Sequence, residues 1–431
     1  MVEKLFLGKP PMEDDIILDP GCGKGSFIEG IIRWCTERDL TLPHIVGVDS
    51  DPEHATEAKQ RFSRYSSVVI EERDFLEPDG RQYDYIVGNP PYVPITRLSE
   101  DEKIRYKKRY KTARMRFDLY ILFFEESLNQ LKNGGRLVFI TPEKYSYVNT
   151  ARPLREILNG WNVEELVLID ENAFGQITAY PMITTLVKEA RPRNLTKVTL
   201  RNGDSRLVTL PGGWSWMPYM NGEVERNCVA TLQDVCERIS CGIATGADSI
   251  FALKNESIPF ELEPYAYPTI SGKQIDARSR ELKITDSLLS PYRRDGSLME
   301  EDELGALGDY LRQKGVREKL QKRTCSTRGK WYEWHERLPR HDIFRPKILT
   351  KDTTKVPIFV NDIHGSILPR HTVYYLIPKD PSVLQPLSEY LNGPEATAWL
   401  WANCQRAANG FLRVQSHVLK RLPIPATFAG F

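Results

Sequence analysis

The sequence of 431 residues has no apolar run as long as a membrane span and no signal-peptide pattern at its amino terminus. Its seven cysteines are an odd number and form no Cys-x-x-Cys pair. We therefore expect neither a disulfide framework nor a metal site, and a cytoplasmic location fits. Neither sign of charge dominates, because 59 Lys and Arg balance 58 Asp and Glu. No nuclease signature, such as Pro-Asp followed by Glu-x-Lys, is present.

What is present is typical of a globular protein of two or three domains, with 41% hydrophobic and 27% charged residues. The basic residues are unevenly distributed. Residues 103–116 carry eight Lys or Arg and no acid, and residues 312–330 carry eight and one Glu. Such runs are either solvated charged faces or, when interleaved with aromatic residues as here, phosphate-binding surfaces.

Residues 84–93 are the most informative stretch of the sequence. The apolar run from Tyr85 to Val87 predicts a buried strand, and Pro90 and Pro91 cannot continue its ladder. The chain must therefore leave the sheet in a stiff, extended turn, which we name the Asn-Pro-Pro-Tyr loop (residues 89–92). In open α/β sheets, ligands bind at this edge. The alternative is an ordinary strand exit stopped by proline.

The loop carries groups that suit methyl transfer to a planar amino nitrogen. The exocyclic amine of a nucleobase is a poor nucleophile because its lone pair is delocalised into the ring. The side-chain carbonyl of Asn89 and the backbone carbonyl of Pro90 can each accept one N–H, which would localise that lone pair. The ring of Tyr92 can stack on the base. This is catalysis by positioning and electrostatics, without a covalent intermediate.

Three earlier segments also predict a strand followed by a ligand-binding turn. A strand from Ile16 to Asp19 runs into a glycine-rich turn (residues 20–25), where a ligand can approach the backbone and a helix amino terminus. Its G-x-G-x-G spacing disfavours a nicotinamide cofactor. The second strand ends at Asp49, which either accepts ribose hydroxyls or caps the next helix. Beyond the third, Asp74 and Phe75 either hold an adenine ring or form a surface turn.

These four strand ends, in this order, resemble the γ-group of DNA adenine-N6 methyltransferases, most closely the Taq-type enzymes. The segments 117–120 and 134–142 extend the resemblance. It implies a class I S-adenosylmethionine-dependent methyltransferase at residues 1–190, a Rossmann-like α/β domain with a seven-stranded mixed sheet. It also implies catalytic roles for Asn89, Pro90, Pro91, Tyr92 and Phe174, with Phe174 stacking on the flipped base opposite the tyrosine. From the residues alone, a core position for Phe174 is the alternative.

The resemblance further implies S-adenosylmethionine as the methyl donor. The residues expected to contact it are Asp19, Pro20, Gly21, Gly23, Gly25, Phe27, Asp49, Ser50, Asp74, Phe75 and Asn89. One departure is the start of the chain, since family members carry a longer segment before the first strand and only 15 residues precede Ile16 here. We expect one of three consequences: a shortened chain, a partner that supplies the segment, or weak cofactor binding.

A predicted linker at residues 191–194 leads to a second region, expected to be an α+β DNA-recognition domain at residues 195–431. Segments 270–275, 330–335 and 344–349 resemble parts of the family's recognition domain, although a buried aromatic core is the alternative for 330–335. The expected DNA contacts are Lys107, Lys108, Arg109, Lys273, Lys330 and Trp331. We expect a monomer that acts on double-stranded DNA, with a separate restriction endonuclease as a possible partner in a restriction–modification role.

Two other functions fit parts of the pattern. Asn-Pro-Pro-Tyr also occurs in enzymes that methylate a glutamine amide of a protein, and related forms act on RNA bases. The region of about 240 residues after Val187 is a domain's worth of chain and favours DNA instead. A DNA-binding specificity subunit that retains a methyltransferase scaffold is the third possibility. The presence of Asn89, Tyr92 and Asp49 argues against it, because folding does not require that set.

Overall fold

The computed structural model describes residues 1–77, 79–170, 180–190, 195–221, 230–276, 279–327, 329–338, 343–407, 410–425 and 428. The chain divides into two compact units, Met1–Val224 and Glu225–Phe431, which are treated separately below. Over these ranges, no helix has both the length and the apolar character needed to cross a membrane.

The first unit is built on one mixed sheet. Its strands are β1 (Ile16–Pro20), β2 (His44–Asp49), β3 (Val68–Glu72), β4 (Tyr83–Gly88), β5 (Leu131–Pro142), β6 (Asn162–Leu168), β7 (Pro181–Val187), β8 (Leu195–Thr199) and β9 (Ser205–Thr209). They are ordered β3-β2-β1-β4-β5-β7-β6-β8-β9. The strands β1 to β5 run parallel to one another, whereas β7 is antiparallel to both β5 and β6.

Helices of the first unit pack on this sheet through their apolar residues. They are α1 (Val2–Leu5), α2 (Ser26–Thr36), α3 (Pro52–Phe62), α4 (Glu100–Arg109), α5 (Leu119–Gln130), α6 (Arg152–Asn159) and α7 (Met217–Asn221). In α2, Ile28, Ile31 and Ile32 are buried at the spacing predicted for one helix face. Nearly all of α5 is buried, because Tyr120 to Phe124 fill the core beside β5. This packing fixes the strand ends from which the candidate site is built.

The sheet is larger than the sequence predicted. A seven-stranded sheet is present, and β8 and β9 extend it to nine strands, since β8 pairs with β6 in parallel and β9 pairs with β8. Residues 195–221 therefore belong to the first unit, and the predicted boundary at 190–195 is wrong. The polar segment Arg191-Pro192-Arg193-Asn194 suggested a linker. After this segment, β8 pairs with β6, and this pairing returns the chain to the same sheet. The sequence does not reveal such a pairing.

The second unit contains shorter strands in several sheets. The strands are β10 (Ala230–Thr231), β11 (Cys236–Cys241), β12 (Ala252–Lys254), β13 (Ala266–Ile270), β14 (Asp286–Leu289), β15 (Lys347–Lys351), β16 (Thr353–Thr354), β17 (Phe359–Asp362), β18 (Leu368–Pro369), β19 (Val373–Pro378), β20 (Gln405–Ala407), β21 (Phe411–Arg413) and β22 (Pro423–Ile424). The helices are α8 (Leu232–Val235), α9 (Asp248–Phe251), α10 (Gly305–Arg312), α11 (Lys314–Gln321), α12 (Leu384–Leu391), α13 (Pro394–Asn403) and α14 (Ser416–Leu419).

Its two four-stranded sheets are ordered β11-β19-β15-β17 and β12-β14-β13-β18. A three-stranded sheet, β16-β21-β20, and the pair β10-β22 complete the described strands. Tyr332 and Trp334 are fully buried in one hydrophobic core of this unit, so the alternative interpretation of the aromatic cluster holds for these two residues. The unit has the predicted α+β character.

Candidate active site

The carboxyl ends of the parallel strands β1 to β5 share one edge of the sheet, and the predicted site residues collect there. The glycine-rich turn follows β1, Asp49 ends β2, Asp74 follows β3 and Asn89 follows β4. Of the described residues, those predicted to bind the cofactor and those predicted to bind the base therefore lie on the same edge.

Backbone geometry at the glycine-rich turn leaves room for a ligand. The amide of Gly21 donates to the carbonyl of Val48 at 2.8 Å, which ties the turn to β2. At Gly25 the backbone has φ +81°, and a Cβ would lie 2.2 Å from the ring of Phe62, so the position requires glycine. Gly23 has φ +53°, and a Cβ there would meet no atom within 4 Å. The backbone at Gly23 is accordingly open to close approach.

Asp49 joins the turn to the end of β2. One carboxylate oxygen accepts the amide of Gly23 at 2.7 Å, and the other accepts the amide of Asp51 at 2.9 Å. Helix α3 is capped instead by Asp51, whose side chain accepts the amides of Glu53 and His54, so the capping alternative for Asp49 is wrong. A carboxylate has about four acceptor positions, which leaves two at Asp49 for further donors.

The carboxyl group of Asp19 is fully buried at the end of β1, and neither of its oxygens has a hydrogen-bond partner among the described residues. The carboxyl group lies close to the end of β4, because a Cβ added at Gly88 would lie 3.3 Å from Asp19 Oδ1. Burial, and secondly the nearby charge of Asp49, raise the pKa of Asp19 well above its ordinary value. An unpaired buried carboxyl group at this edge suits a cationic ligand group.

Asp74 and Phe75 are placed differently from each other. The carboxylate of Asp74 accepts the amide of Leu76 at 2.9 Å and the hydroxyl of Tyr106 at 3.2 Å, so it forms a turn while remaining at the edge. The side chain of Asp74 is one-third exposed. Phe75 is only 2% exposed and packs on Phe123, with ring centroids 5.0 Å apart. The core position of Phe75 leaves little ring surface for a cofactor.

The other predicted cofactor residues border the same turn. Pro20 is buried as the last residue of β1, and Ser50 is exposed just after β2. Phe27 is half-buried in the first turn of α2 and packs on the core beneath it. Of these three side chains, Ser50 is the most open to solvent.

Asn89 is exposed at the end of β4. The hydroxyl of Tyr92 donates to its Oδ1 at 2.6 Å and lies 3.3 Å from the carbonyl of Ile140. Burial raises the pKa of Tyr92 to about 12, so its hydroxyl keeps the proton that it donates. The ring of Tyr92 meets Tyr120 edge-on, with centroids 6.1 Å apart. The acceptor predicted for a base amine is thus engaged by a side chain of the same loop.

Both sides of the Asn-Pro-Pro-Tyr loop are anchored. On one side, Pro91 packs close to Gly21, because a Cβ added at Gly21 would lie 3.6 Å from the Cδ of Pro91. On the other, the amide of Leu119, the first residue of α5, donates to the carbonyl of Val93 at 2.7 Å. Within the loop, Pro90 is buried. The loop is therefore held next to the glycine-rich turn. Phe174, the predicted second stacking residue, lies outside the described residues.

In the first unit, the predicted DNA contacts Lys107, Lys108 and Arg109 occupy the last turn of α4 and are all exposed. Between them and the core, Tyr106 is buried and orients this face of the helix. None of the three side chains forms a described ion pair, although Arg109 lies over the ring of Tyr110 at 5.8 Å. They form an open cationic surface.

In the second unit, Lys273 is exposed beside a groove of about 570 Å³ that is also lined by Lys351, Arg370 and Asp352. Lys330 instead pairs with Glu300, so its charge is partly neutralised. Trp331 is half-buried, packs on the core and lies 5.1 Å beneath the guanidinium of Arg317. Lys273 is therefore the most available of the three residues predicted to contact DNA here. No group of three or more His, Cys, Asp or Glu in the described ranges is placed to hold a metal ion.

Three contacts at this edge were not predicted from the sequence. The carbonyl of Ile140 lies near Tyr92, Tyr106 bonds to Asp74, and Arg201 reaches Glu143 just after β5. A tyrosine inside the basic run 103–116 could have indicated the role of Tyr106, because a helix in this run would turn its aromatic face toward the core. Arg201 lies beyond the predicted domain boundary and gave no comparable signal.

Known proteins resemble this chain over different lengths. The Eco57I restriction-modification methylase family matches residues 41–174. The chain is 26% identical to the Type II methyltransferase M.PaeR7I of Pseudomonas aeruginosa over 96% of its own length and 82% of that protein. It is 23% identical to the Type II methyltransferase M.BstVI of Geobacillus stearothermophilus, covering 96% of this chain and 85% of the relative.

A solved structure of the Type IIL restriction-modification enzyme MmeI in complex with DNA aligns with 95% of this chain at a TM-score of 0.64 and 13% identity. The aligned part is 61% of that chain. At this identity the likeness shows a shared fold. The fold class predicted from the sequence, an α/β fold of the class I methyltransferase type followed by an additional domain, is confirmed.

Proposed function

We propose that this chain, a relative of the Type II methyltransferases of restriction–modification systems, transfers a methyl group from S-adenosylmethionine to the N6 amine of an adenine flipped out of duplex DNA. The observation that carries the proposal is the placement of Asn89. Its exposed amide follows β4 in a loop that packs against the glycine-rich turn, where Gly21 approaches Pro91. An acceptor for a base amine thus lies beside a place for the donor.

The residues at this edge fit S-adenosylmethionine. The buried, unpartnered carboxyl group of Asp19 suits the amino group of the methionine part, and Asp49 retains acceptor positions for the ribose hydroxyls. The open backbone at Gly23 allows close approach between these two points. Bound at these residues, the donor supplies a methyl group carried on a positively charged sulfur.

The chain's own part in the reaction is to orient the amine. Asn89 Oδ1 and the carbonyl of Pro90 would each accept one N–H, which directs the nitrogen lone pair toward the methyl carbon. Methylation would leave the nitrogen positively charged, and one of the protons held by Asn89 Oδ1 and the carbonyl of Pro90 would then pass to solvent. Asn89 Oδ1 has a second acceptor position for the amine beside the hydroxyl of Tyr92, and this hydroxyl can also turn toward the nearby carbonyl of Ile140.

Duplex DNA is favoured over the other substrates by the second unit and by the cations of α4. The exposed Lys107, Lys108 and Arg109 suit backbone phosphates, which position a duplex without reading its sequence. A protein amide or a base in RNA remains the alternative substrate for the same loop. Because the proposed substrate is chromosomal or incoming DNA, we place the reaction in the cytoplasm, with a restriction endonuclease as the functional counterpart.

The test is methylation of DNA by the purified chain with tritiated S-adenosylmethionine, followed by separation of the labelled nucleosides. We expect label in N6-methyladenine at one short sequence. Label in cytosine would contradict the adenine assignment. Label found in RNA or protein but not in DNA would show that DNA is not the substrate. Tight DNA binding without any cofactor binding in calorimetry would favour the non-catalytic specificity subunit.

Cofactor affinity should depend on pH through Asp19. Because burial and the charge of Asp49 raise the pKa of Asp19, this carboxyl group holds its proton at pH values where an ordinary aspartate is ionised. A cationic amino group favours the ionised form, so binding should release a proton. Affinity should then rise with pH until Asp19 is ionised in the free protein.

Isothermal titration calorimetry in buffers of different ionisation enthalpy measures both the affinity and the released proton. Asp19→Asn, which cannot ionise, should bind more weakly and lose this part of the pH dependence. Proton uptake on binding would contradict the assigned role. So would an affinity that falls with rising pH at pH values below the pKa of the ligand's own amino group.

Neutralising Lys107, Lys108 and Arg109 together should weaken DNA binding and make it less sensitive to salt. Each phosphate contact contributes about 0.9 to the slope of log K against log salt concentration, so losing all three should lower the slope by up to about 2.7. Fluorescence anisotropy over a salt series measures it. Lys103→Gln is the control, because Lys103 on the same helix is already paired with Glu100 at 2.7 Å. An unchanged slope would make this surface a solvated face.

A further inference from the structure

The turn between β8 and β9 places one arginine among three segments of the first unit. The amide of Leu200 donates to the carbonyl of Asp204 at 2.7 Å, which closes the turn around Arg201. Arg201 donates through Nε to the carbonyl of Ile169 at 3.2 Å, just after β6. Its guanidinium also lies 5.1 Å over the ring of Tyr180, just before β7. One side chain therefore contacts the end of β6 and the start of β7.

The third segment is the exit of β5, where Glu143 directly follows the strand. The guanidinium of Arg201 pairs with the carboxylate of Glu143, whose side chain is only 3% exposed. Such a pair is difficult to break, because a buried carboxylate loses a compensating charge when the cation is removed. The backbone repeats the connection, because the amide of Glu143 donates to the carbonyl of Tyr180 at 2.8 Å.

The exit of β5 also touches the Asn-Pro-Pro-Tyr loop and its support. The carbonyl of Ile140 lies 3.3 Å from the hydroxyl of Tyr92. Lys144 Nζ lies 3.3 Å from the carboxylate of Asp118, and the backbone of Asp118 forms an isolated antiparallel β-bridge with Pro94. Glu143 lies in the chain between these two contacts. A shift of the β5 exit would therefore be felt on both sides of the loop.

We propose that Arg201 is a positioning residue for methyl transfer. It holds the exits of β5 and β6 and the entry to β7 together, and through the β5 exit it fixes the position of Tyr92 relative to Asn89. The two strands that extend the sheet beyond seven thereby contribute to the reaction, by bringing this arginine back to the catalytic edge. This inference rests on the proposed function, because its main consequence is a rate of methyl transfer.

The test compares Arg201→Met with Arg206→Met, measured in the full chain. Arg206 lies on β9 of the same hairpin and donates to the carbonyl of Met220 at 2.7 Å, away from Glu143, so it controls for loss of an arginine from the hairpin. Under saturating DNA and donor, the single-turnover rate of Arg201→Met should fall about 10-fold to 100-fold, as small misplacements of reacting groups do. Dissociation constants for DNA and donor should stay within about twofold of wild type, which a global loss of folding would not allow.

Arg201→Lys should recover part of the rate, because it keeps a cation beside Glu143 but cannot form the same fork of contacts. A second measurement needs no activity. Hydrogen–deuterium exchange of the free protein should become faster at Glu143 and Ile169 in Arg201→Met and stay unchanged there in Arg206→Met.

A wild-type rate in a folded Arg201→Met protein would overturn the inference and leave the proposed function intact. If wild-type protein methylates no DNA, the proposed function fails. Unchanged exchange at Glu143 and Ile169 in Arg201→Met overturns the inference whether or not the protein methylates DNA.

Discussion

Replacing Asn89 by alanine should lower the single-turnover rate of methyl transfer at least about 100-fold, the scale expected when one preorganised electrostatic partner of a transition state is removed. Affinity for DNA should change little, since the side chain is used chiefly as the amine becomes tetrahedral. Its exposure at the end of β4 means that no core packing is lost. Rapid-quench measurement with labelled donor gives the rate, and anisotropy gives the affinity.

Asn133→Ala provides a matched control for Asn89→Ala. Asn133 is also exposed, but it lies near the start of β5, at the opposite edge of the sheet from Asn89. Its removal should leave the rate within about twofold of wild type, as for most surface substitutions. A rate for Asn89→Ala close to that of the control would remove the amide from the mechanism and would require a different acceptor for the amine.

Asp49→Ala should weaken the binding of S-adenosylmethionine by about 10-fold to 100-fold, the equivalent of about 1.5–3 kcal/mol for hydrogen bonds to a charged group. The loss has two sources in the structure. The variant removes acceptors for the ribose, and it also frees the amide of Gly23, which Asp49 now holds at 2.7 Å. Calorimetry measures the dissociation constant directly.

Asp51→Ala separates these effects from a general loss of stability. Asp51 caps α3 through the amides of Glu53 and His54, so its removal should lower the free energy of unfolding. Donor affinity should be nearly unchanged at temperatures where the variant is folded. If Asp49→Ala bound the donor as tightly as Asp51→Ala, the ribose contact would have to be assigned to another residue.

The arrangement of the catalytic edge could be predicted because it depends on local signals. Each parallel strand is a short apolar run, and each is followed by residues that cannot continue it, as at Pro90 and Pro91. Parallel strands bring such turns to one edge, so chain order alone groups Asp49 with Asn89. The hydrogen bond from Tyr92 to Asn89 could not be predicted, because it depends on a side-chain orientation within the loop.

The remaining differences arise from contacts between residues far apart in the sequence. Residues 195–221 resemble the start of a new domain, but β8 pairs with β6. The run 312–330 counts as basic along the chain, yet Lys330 faces Glu300 in space. Likewise, Phe75 follows a candidate adenine acceptor in sequence but packs on Phe123. Composition and spacing do not report which partner a side chain will meet.

The hydrogen bond between Tyr92 and Asn89 has a consequence for the protein before a substrate binds. An amide oxygen that awaits a base would otherwise bind water, and water beside an activated methyl group can be methylated in place of the substrate. In the proposed reaction, the amine of the incoming base would share that oxygen with the phenol or replace it, one hydrogen-bond donor for another. Such an exchange would have a small thermodynamic cost, and until it occurs the phenol occupies one of the two acceptor positions of Asn89 Oδ1.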